Sequence, residues 1–314
     1  MAGFTWTFDA PSGTYKQHAM SRRLYMKALE DSVFMDWVTP VEGFGRKQGE
    51  NVTLTRIATI AEPTSGDLTE NERIPEDSFS ISTTSITVTE IGRAVPYSSL
   101  SEDLGMVDME NSIQRRLRDQ MKLTLDTKAA AAFKTAQVKY IPTGVASGTF
   151  DTDGTASTTA SDNWNMFHVE EVVDYLYETL LTPPLENDDY VGIFHNRALR
   201  GIKRDPSWEE WHKYTDPQMK ANGEVGRIEN LRHIKTNHAN ALTKKGTNSV
   251  LGEGVIFGQD SVAMAEVLTP ELRAGMAEDF GRSRAVAWYG ILEFGLIWDT
   301  ANAGEARVVH VTSA

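Results

Sequence analysis

The stretch DPSWEEWHKYTDPQMKANGEVG, from Asp205 to Gly226, gathers more chemistry-bearing side chains than any other part of the chain. It holds Trp208 and Trp211, the acids Glu209, Glu210 and Glu224, His212, and a turn spelled Gly223-Glu224-Val225-Gly226. A glutamate beside a histidine can act as an acid/base pair. Within a helical turn, however, the two tryptophans share a face while Glu209 and Glu210 point elsewhere. The pattern is that of packed indoles flanked by solvated acids, and its meaning depends on what surrounds it.

The chain has 314 residues, 40% hydrophobic and 24% charged, enough for a substantial core in two lobes. It has no cysteine, which excludes disulfides, thiolate catalysis and zinc-cysteine sites and fits a protein made in a reducing cytoplasm. The start, MAGFTWTFDAPSGTYKQHAM, lacks the basic residues and apolar run of a secretory signal. The longest near-apolar run, AVAWYGILEFGLIW from Ala285 to Trp298, is short and interrupted by Glu293, whereas a membrane span needs about 20 residues. No membrane contact is expected. A formal charge of −13 argues against tight sequence-independent DNA binding, although a local basic face is compatible with it.

Outward from the opening stretch, the elements fall in a telling order. Residues 1 to 44 read as an arm, with SRRLYMKALEDSVFMDWV spaced as a helix capped by Ser21 and ended by Pro40. From residue 45 the period becomes two: ENVTLTRIATI and FSISTTSITVTEIGRAV predict a long two-stranded ribbon with an acidic, irregular tip. A parity change between Ile81 and Ile86 predicts a bulge or a bend. Such a ribbon is marginal alone and needs another surface. A helix from Met109 to Ala136 follows, about 42 Å long, with an apolar stripe that repeats every four residues. ASGTFDTDGTASTTASDNW then reads as a loop, before an α/β lobe built from HVEEVVDYLYETL, DYVGIFH, NRALRGIKRD, RIENLRHIKT and GEGVIFG. The carboxyl end returns to strand composition.

Candidate sites are weak beside this order. His233 and His238 lie five apart with no His-Glu-x-x-His arrangement, and DTDGTAS departs from a calcium loop at its sixth and twelfth places. Phosphate-loop, nucleophile-elbow and dinucleotide fingerprints are missing. No catalytic, cofactor or metal residue is assigned. Arg115, Arg116 and Arg118 on the long helix form a basic patch that could meet phosphates, with Asp119 expected to pair with Arg115.

The order of arm, ribbon, solitary long helix, α/β lobe and returning strands resembles the major capsid proteins of tailed phages, the Hong Kong 97-like fold. The opening stretch carries the closest match, to the podophage-type branch. Asp205-Pro206-Ser207-Trp208, His212-Lys213-Tyr214-Thr215-Asp216 and Asn222-Gly223-Glu224-Val225-Gly226 follow that branch's axial-lobe pattern. VIFGQDSVAM from Val255 is similar to its Val-x-Phe-Gly-x-Asp-Ala segment, and LTENERIPEDSFSISTTSITVTEIGRAVPYS to its extended loop and return strand. Departures are Val225 for isoleucine and Thr236 after Lys235, where glutamate is common.

The resemblance implies an α+β fold in four parts. These are an arm (1–44), an extended loop (45–97), a peripheral domain with a spine helix (98–145 and 280–314) and an axial domain (146–279). It implies a shell protein and not an enzyme, with Asp205, Pro206, Trp208, His212, Tyr214, Gly223, Glu224 and Gly226 as axial-domain packing and turn residues. Expected subunit contacts are Glu70, Glu72 and Arg73 at the loop tip and Arg115, Arg116 and Arg118. Implied partners are copies of the chain in hexamers and pentamers, a portal, a separate scaffolding protein, a decoration or cement protein, and packaged double-stranded DNA in weak contact. The expected location is the virion capsid, assembled in the host bacterial cytoplasm. The alternatives are an encapsulin-like compartment shell and a soluble hydrolase using His212 with Glu209 or Glu224.

Overall fold

The computed structural model describes residues 27–57, 60, 62–63, 66–68, 70, 73–104, 108–185, 188–205, 224–243, 252–276, 279–298 and 305–314. The arm enters differently from its helical spacing: residues 27–33 are not helical, and only Phe34–Trp37 forms a 3-10 turn. Tertiary contacts override the local pattern here. The Val33 and Phe34 amides donate to Asp126 Oδ1 at 2.9 and 2.8 Å, and the Phe34 ring is buried against Phe133 at 5.6 Å. After β1 (Thr39–Pro40) the ribbon is built from β2 (Asn51–Ile57) and β3 (Ile81–Thr87).

The ribbon register is unbroken, from Asn51 opposite Thr87 to Ile57 opposite Ile81. The expected bulge is therefore absent. The parity change instead puts Ile81 on the outer face and Ile86, which is 4% exposed, on the inner one. Ile86 fills the space left by Gly295, where a Cβ would come within 2.8 Å of its Cγ1. The break comes at Val88, after which β4 (Thr89–Ser98) joins another sheet.

The chain continues through α1 (Ser99–Leu104) into the long helix α2 (Met109–Lys134), capped where the Asn111 amide donates to Asp108 Oδ1 at 3.0 Å. Strands β5 (Val138–Gly144) and β6 (Ser147–Asp151) follow, so the segment expected as a loop begins as a strand. Helix α3 (Met166–Asp174) runs into a π-helical turn at Tyr175–Thr179, then β7 (Tyr190–His195) and the short α4 (Arg200–Lys203). RIENLRHIKT is a hairpin of β8 (Glu224–Ile228) and β9 (Leu231–Thr236), turning on Glu229 and Asn230 at φ 44° and 56°. The last strands are β10 (Gly252–Phe257), β11 (Val262–Ala274), β12 (Ser283–Leu296) and β13 (Val308–Ser313).

These strands form two larger sheets among the described residues. One has four strands, β1-β11-β12-β4, and the other seven, β6-β5-β13-β10-β7-β9-β8. The expected boundaries at 145/146 and 279/280 cut across them. Strands β5 and β13, expected beside the spine helix, belong to the seven-stranded sheet, and β11, expected in the axial part, pairs with β12. The Val308–Val311 run is buried throughout, which suits a central strand covered on both faces.

Helix α2 joins the two sheets through its winding stripe. Leu117 shares a core cluster with Val286 and Trp288 of the four-stranded sheet, whereas Leu125, Ala129 and Phe133 share one with Val255 and Phe257 of the seven-stranded sheet and with Leu292 and Phe294 of the four-stranded one. Glu293, which interrupts the apolar run of β12, is taken up at this junction by Lys128 at 2.7 Å and the Thr89 hydroxyl at 2.6 Å. The opposite face of the seven-stranded sheet is covered by α3 and α4.

Candidate assembly surfaces

Among the described residues, the ribbon carries several of the large apolar side chains that the subunit leaves exposed. Its inner face packs at the base, through Ile86, on Ala263 and Ala265. Its outer end is different: Ile57 and Ile81 face each other across the ladder, and with Ile60, Leu68, Ile74 and Phe79 all are more than half exposed. Exposed large apolar side chains gathered on one element are candidates for an interaction surface.

The expected contact residues divide. At the ribbon tip Glu70 is exposed, and Arg73 forms an ion pair with Glu76 of its own loop; Glu72 lies outside the described residues. On α2, Arg115, Arg116 and Arg118 are all exposed along one stretch. Asp119 pairs with Arg116 at 3.3 Å and not with Arg115, while Arg116 also donates to the Lys27 carbonyl at 3.1 Å. Arg116 thus ties the arm to α2 and is less available to a partner than Arg115 and Arg118.

Of the axial motif, Asp205 follows α4 and Gly226 is buried in β8 opposite His233. Pro206, Trp208, His212, Tyr214 and Gly223 lie outside the described residues, as do Glu209 and the side chain of Glu224. The proposed hydrolytic pair therefore has no described geometry. No cluster of three or more metal-ligating side chains occurs among the described residues. In DTDGTAS, Asp151 accepts from the Ser157 amide at 2.7 Å and Asp153 from the Thr155 amide at 2.8 Å, so the carboxylates close the turn themselves.

Buried polar groups hold the surfaces in place. Asp126, 0% exposed, takes both arm amides on one oxygen and His238 Nδ1 on the other at 2.7 Å. The Thr236 hydroxyl donates to the Asp31 carbonyl at 3.1 Å, and the Asp31 amide to Asn237 Oδ1 at 2.7 Å. Arm, spine helix and β9 thus meet in one knot. No sequence motif signals it, because its members lie 93 and 112 residues apart. Asp189, 2% exposed, is similarly clamped by Arg227 at 2.6 Å and Arg232 at 3.1 Å.

Two buried histidines are neutral. Burial holds His233 down to about 4 despite backbone hydrogen bonding at Gly226 and Leu231. His310 is likewise lowered to about 4, first by burial and then by Lys139 and Lys134, against an opposing pull from Glu253. The Tyr140 phenol, buried and sharing a 2.7 Å hydrogen bond with His168, is pushed up by that burial and by Glu171.

No protein-family model matches the sequence, and no curated protein matches it. Solved structures do. The capsid asymmetric unit of cyanophage Pam1 superposes with a TM-score of 0.74 at 12% identity, over 100% of this chain and 99% of that one. The head structure of Helicobacter pylori bacteriophage KHP40 gives 0.74 at 13% identity, over 98% of each chain. The capsid of Ralstonia phage GP4 gives 0.68 at 14% identity, also over 98% of each. Full-length agreement with several head shells gives this chain the α+β, Hong Kong 97-like fold of phage capsid proteins.

Proposed function

We propose that the chain is the major capsid protein of a tailed phage, self-assembling as hexamers and pentamers into the shell that encloses double-stranded DNA. The observation that carries this reading is the ribbon: a shell fold presents a paired, apolar outer end that its own subunit does not cover. The four-stranded sheet with α2 would be the peripheral lobe, and the seven-stranded sheet with α3 and α4 the axial lobe. Exchanged ribbons and arms would raise the buried area per subunit into the range of obligate interfaces, about 2,000 Å² or more. Arg115 and Arg118 on α2 are the candidates for weak phosphate contact with packaged DNA. A portal, a separate scaffolding protein and a decoration protein are the partners this reading brings with it.

Sedimentation velocity of the purified chain, alone and co-expressed with its candidate scaffold, tests the reading. Megadalton particles of narrow size distribution are expected. A chain that stays monomeric in both preparations overturns it.

A further inference from the structure

Among the described residues, two charged patches on one lobe stand without an ion pair to a group of opposite sign. At the carboxyl ends of β7 and β9, Arg197, Arg200, Lys203, Arg204 and Lys235 are all exposed. Among the described residues, Lys203 donates to the Asn196 amide oxygen at 3.4 Å. Its ammonium is held below the usual lysine range by partial burial and then by Lys235 and Arg200, a sign that the cations crowd one another.

At the amino ends of the same strands the sign reverses. A pocket of about 260 Å³ is lined by Asp174, Asp188 and Glu229 together with Tyr177 and Asn230. Glu170 stands beside it, its carboxyl raised by burial and then by Glu229, Asp174 and Asp205. The two arginines of this region, Arg227 and Arg232, are engaged by Asp189. Tyr190 pairs with Leu231 at this end and His195 with Thr236 at the other, so roughly 17 Å of strand separates the ends at which the patches lie, although Asp205, next to Arg204, acts on Glu170 from between them.

Like charges crowded at both ends oppose the folding of an isolated subunit, and they are relieved when opposite signs meet. We infer that the carboxylate pocket at Asp174, Asp188 and Glu229 receives the Arg200 and Lys203 patch of a second copy of this chain. The two patches sit at different places on the lobe, so the contact is head to tail and closes a ring when repeated. Nucleic acid would suit the cationic patch but would leave the acidic pocket without a partner. The inference rests on the shell reading and extends it by naming one contact between neighbouring copies.

Charge reversal in the full-length chain tests it. Arg200→Glu with Lys203→Glu, and separately Asp174→Lys with Glu229→Lys, are each expected to lower particle yield by at least about tenfold. The four exposed substitutions combined restore complementarity with the signs exchanged, and particles are expected to return. Thermal unfolding of each variant checks that the subunit stays folded. Double variants that assemble like the parent overturn the contact, and so does a combined variant no better than the doubles. Intact particles that have lost only their DNA after the Arg200 and Lys203 reversal also overturn it, pointing to a nucleic-acid partner. A parent chain that forms neither rings nor particles removes the shell reading itself, and the contact with it.

Discussion

Asp126 does more for the subunit than any charge visible as a pattern. Fully buried, it accepts three hydrogen bonds that join arm, α2 and the segment after β9. Asp126→Ala leaves two amides and an imidazole without their partner, a loss of about 3 to 5 kcal/mol. Asp126→Asn keeps one acceptor and is expected to lose about half as much; urea unfolding measures both, and faster proteolysis of residues 27–38 reports release of the arm. The sequence could not reveal this role, because a lone aspartate beside an apolar stripe looks like an ordinary solvated helix residue. His233 and His310 carry a pH dependence. Each titrates near 6.5 unfolded and about 4 folded, so the unfolded chain binds more protons between those values. Their contribution is complete above about pH 6.5 and is lost as pH falls towards 4, up to about 3 kcal/mol for each. His310→Gln is expected to flatten that fall by about one histidine's share in unfolding curves at pH 7 and 4.5.

Elements were legible where local period and burial agree. Helix α2 follows its four-residue stripe because both sheets lie along one slowly winding face, and the ribbon follows its Val, Ile and Thr alternation. Strand β11 was missed because its pairing with β12 shifts register twice between Glu266 and Glu271, around Pro270, which breaks the alternation. Strand β6 was missed because SGTFD has the composition of a loop and is a strand only through its partner β5. The arm erred in the opposite direction: its apolar spacing comes from docking on Phe133, with the amides held by Asp126, and not from helical turns. Close approach between elements was equally invisible. In α4, a Cβ on Gly201 would lie 2.1 Å from the carbonyl oxygen of Trp164, a backbone atom that cannot rotate away. Gly201→Ala therefore has to push α4 from the residues leading into α3, and a loss of about 1 to 3 kcal/mol in chemical unfolding is expected.

At the scale of the whole molecule, the fold leaves apolar side chains exposed that packing within one subunit does not use. With no cysteine, any cohesion between copies comes from apolar burial and charge pairing. Six large apolar side chains stand just over half exposed along the outer ribbon, and covering the open part of each is worth about 1 to 2 kcal/mol. The ribbon base is held independently, by Ile86 over Gly295 and by the Arg56 guanidinium donating to the Ile297 carbonyl at 3.3 Å. Folding and assembly should therefore separate. Replacing residues 58–80 by an Asn-Gly turn keeps the β2–β3 ladder and removes most of the apolar end. Such a chain is expected to unfold within about 1 kcal/mol of the parent, because the described residues among those removed are all exposed. It is also expected to remain small in sedimentation velocity under conditions where the parent forms particles. Assembly of the shortened chain would mean that Ile60, Leu68, Ile74 and Phe79 do not hold copies together. Loss of its cooperative unfolding would mean that the ribbon stabilises the subunit from within, and that its apolar end is covered by the same chain.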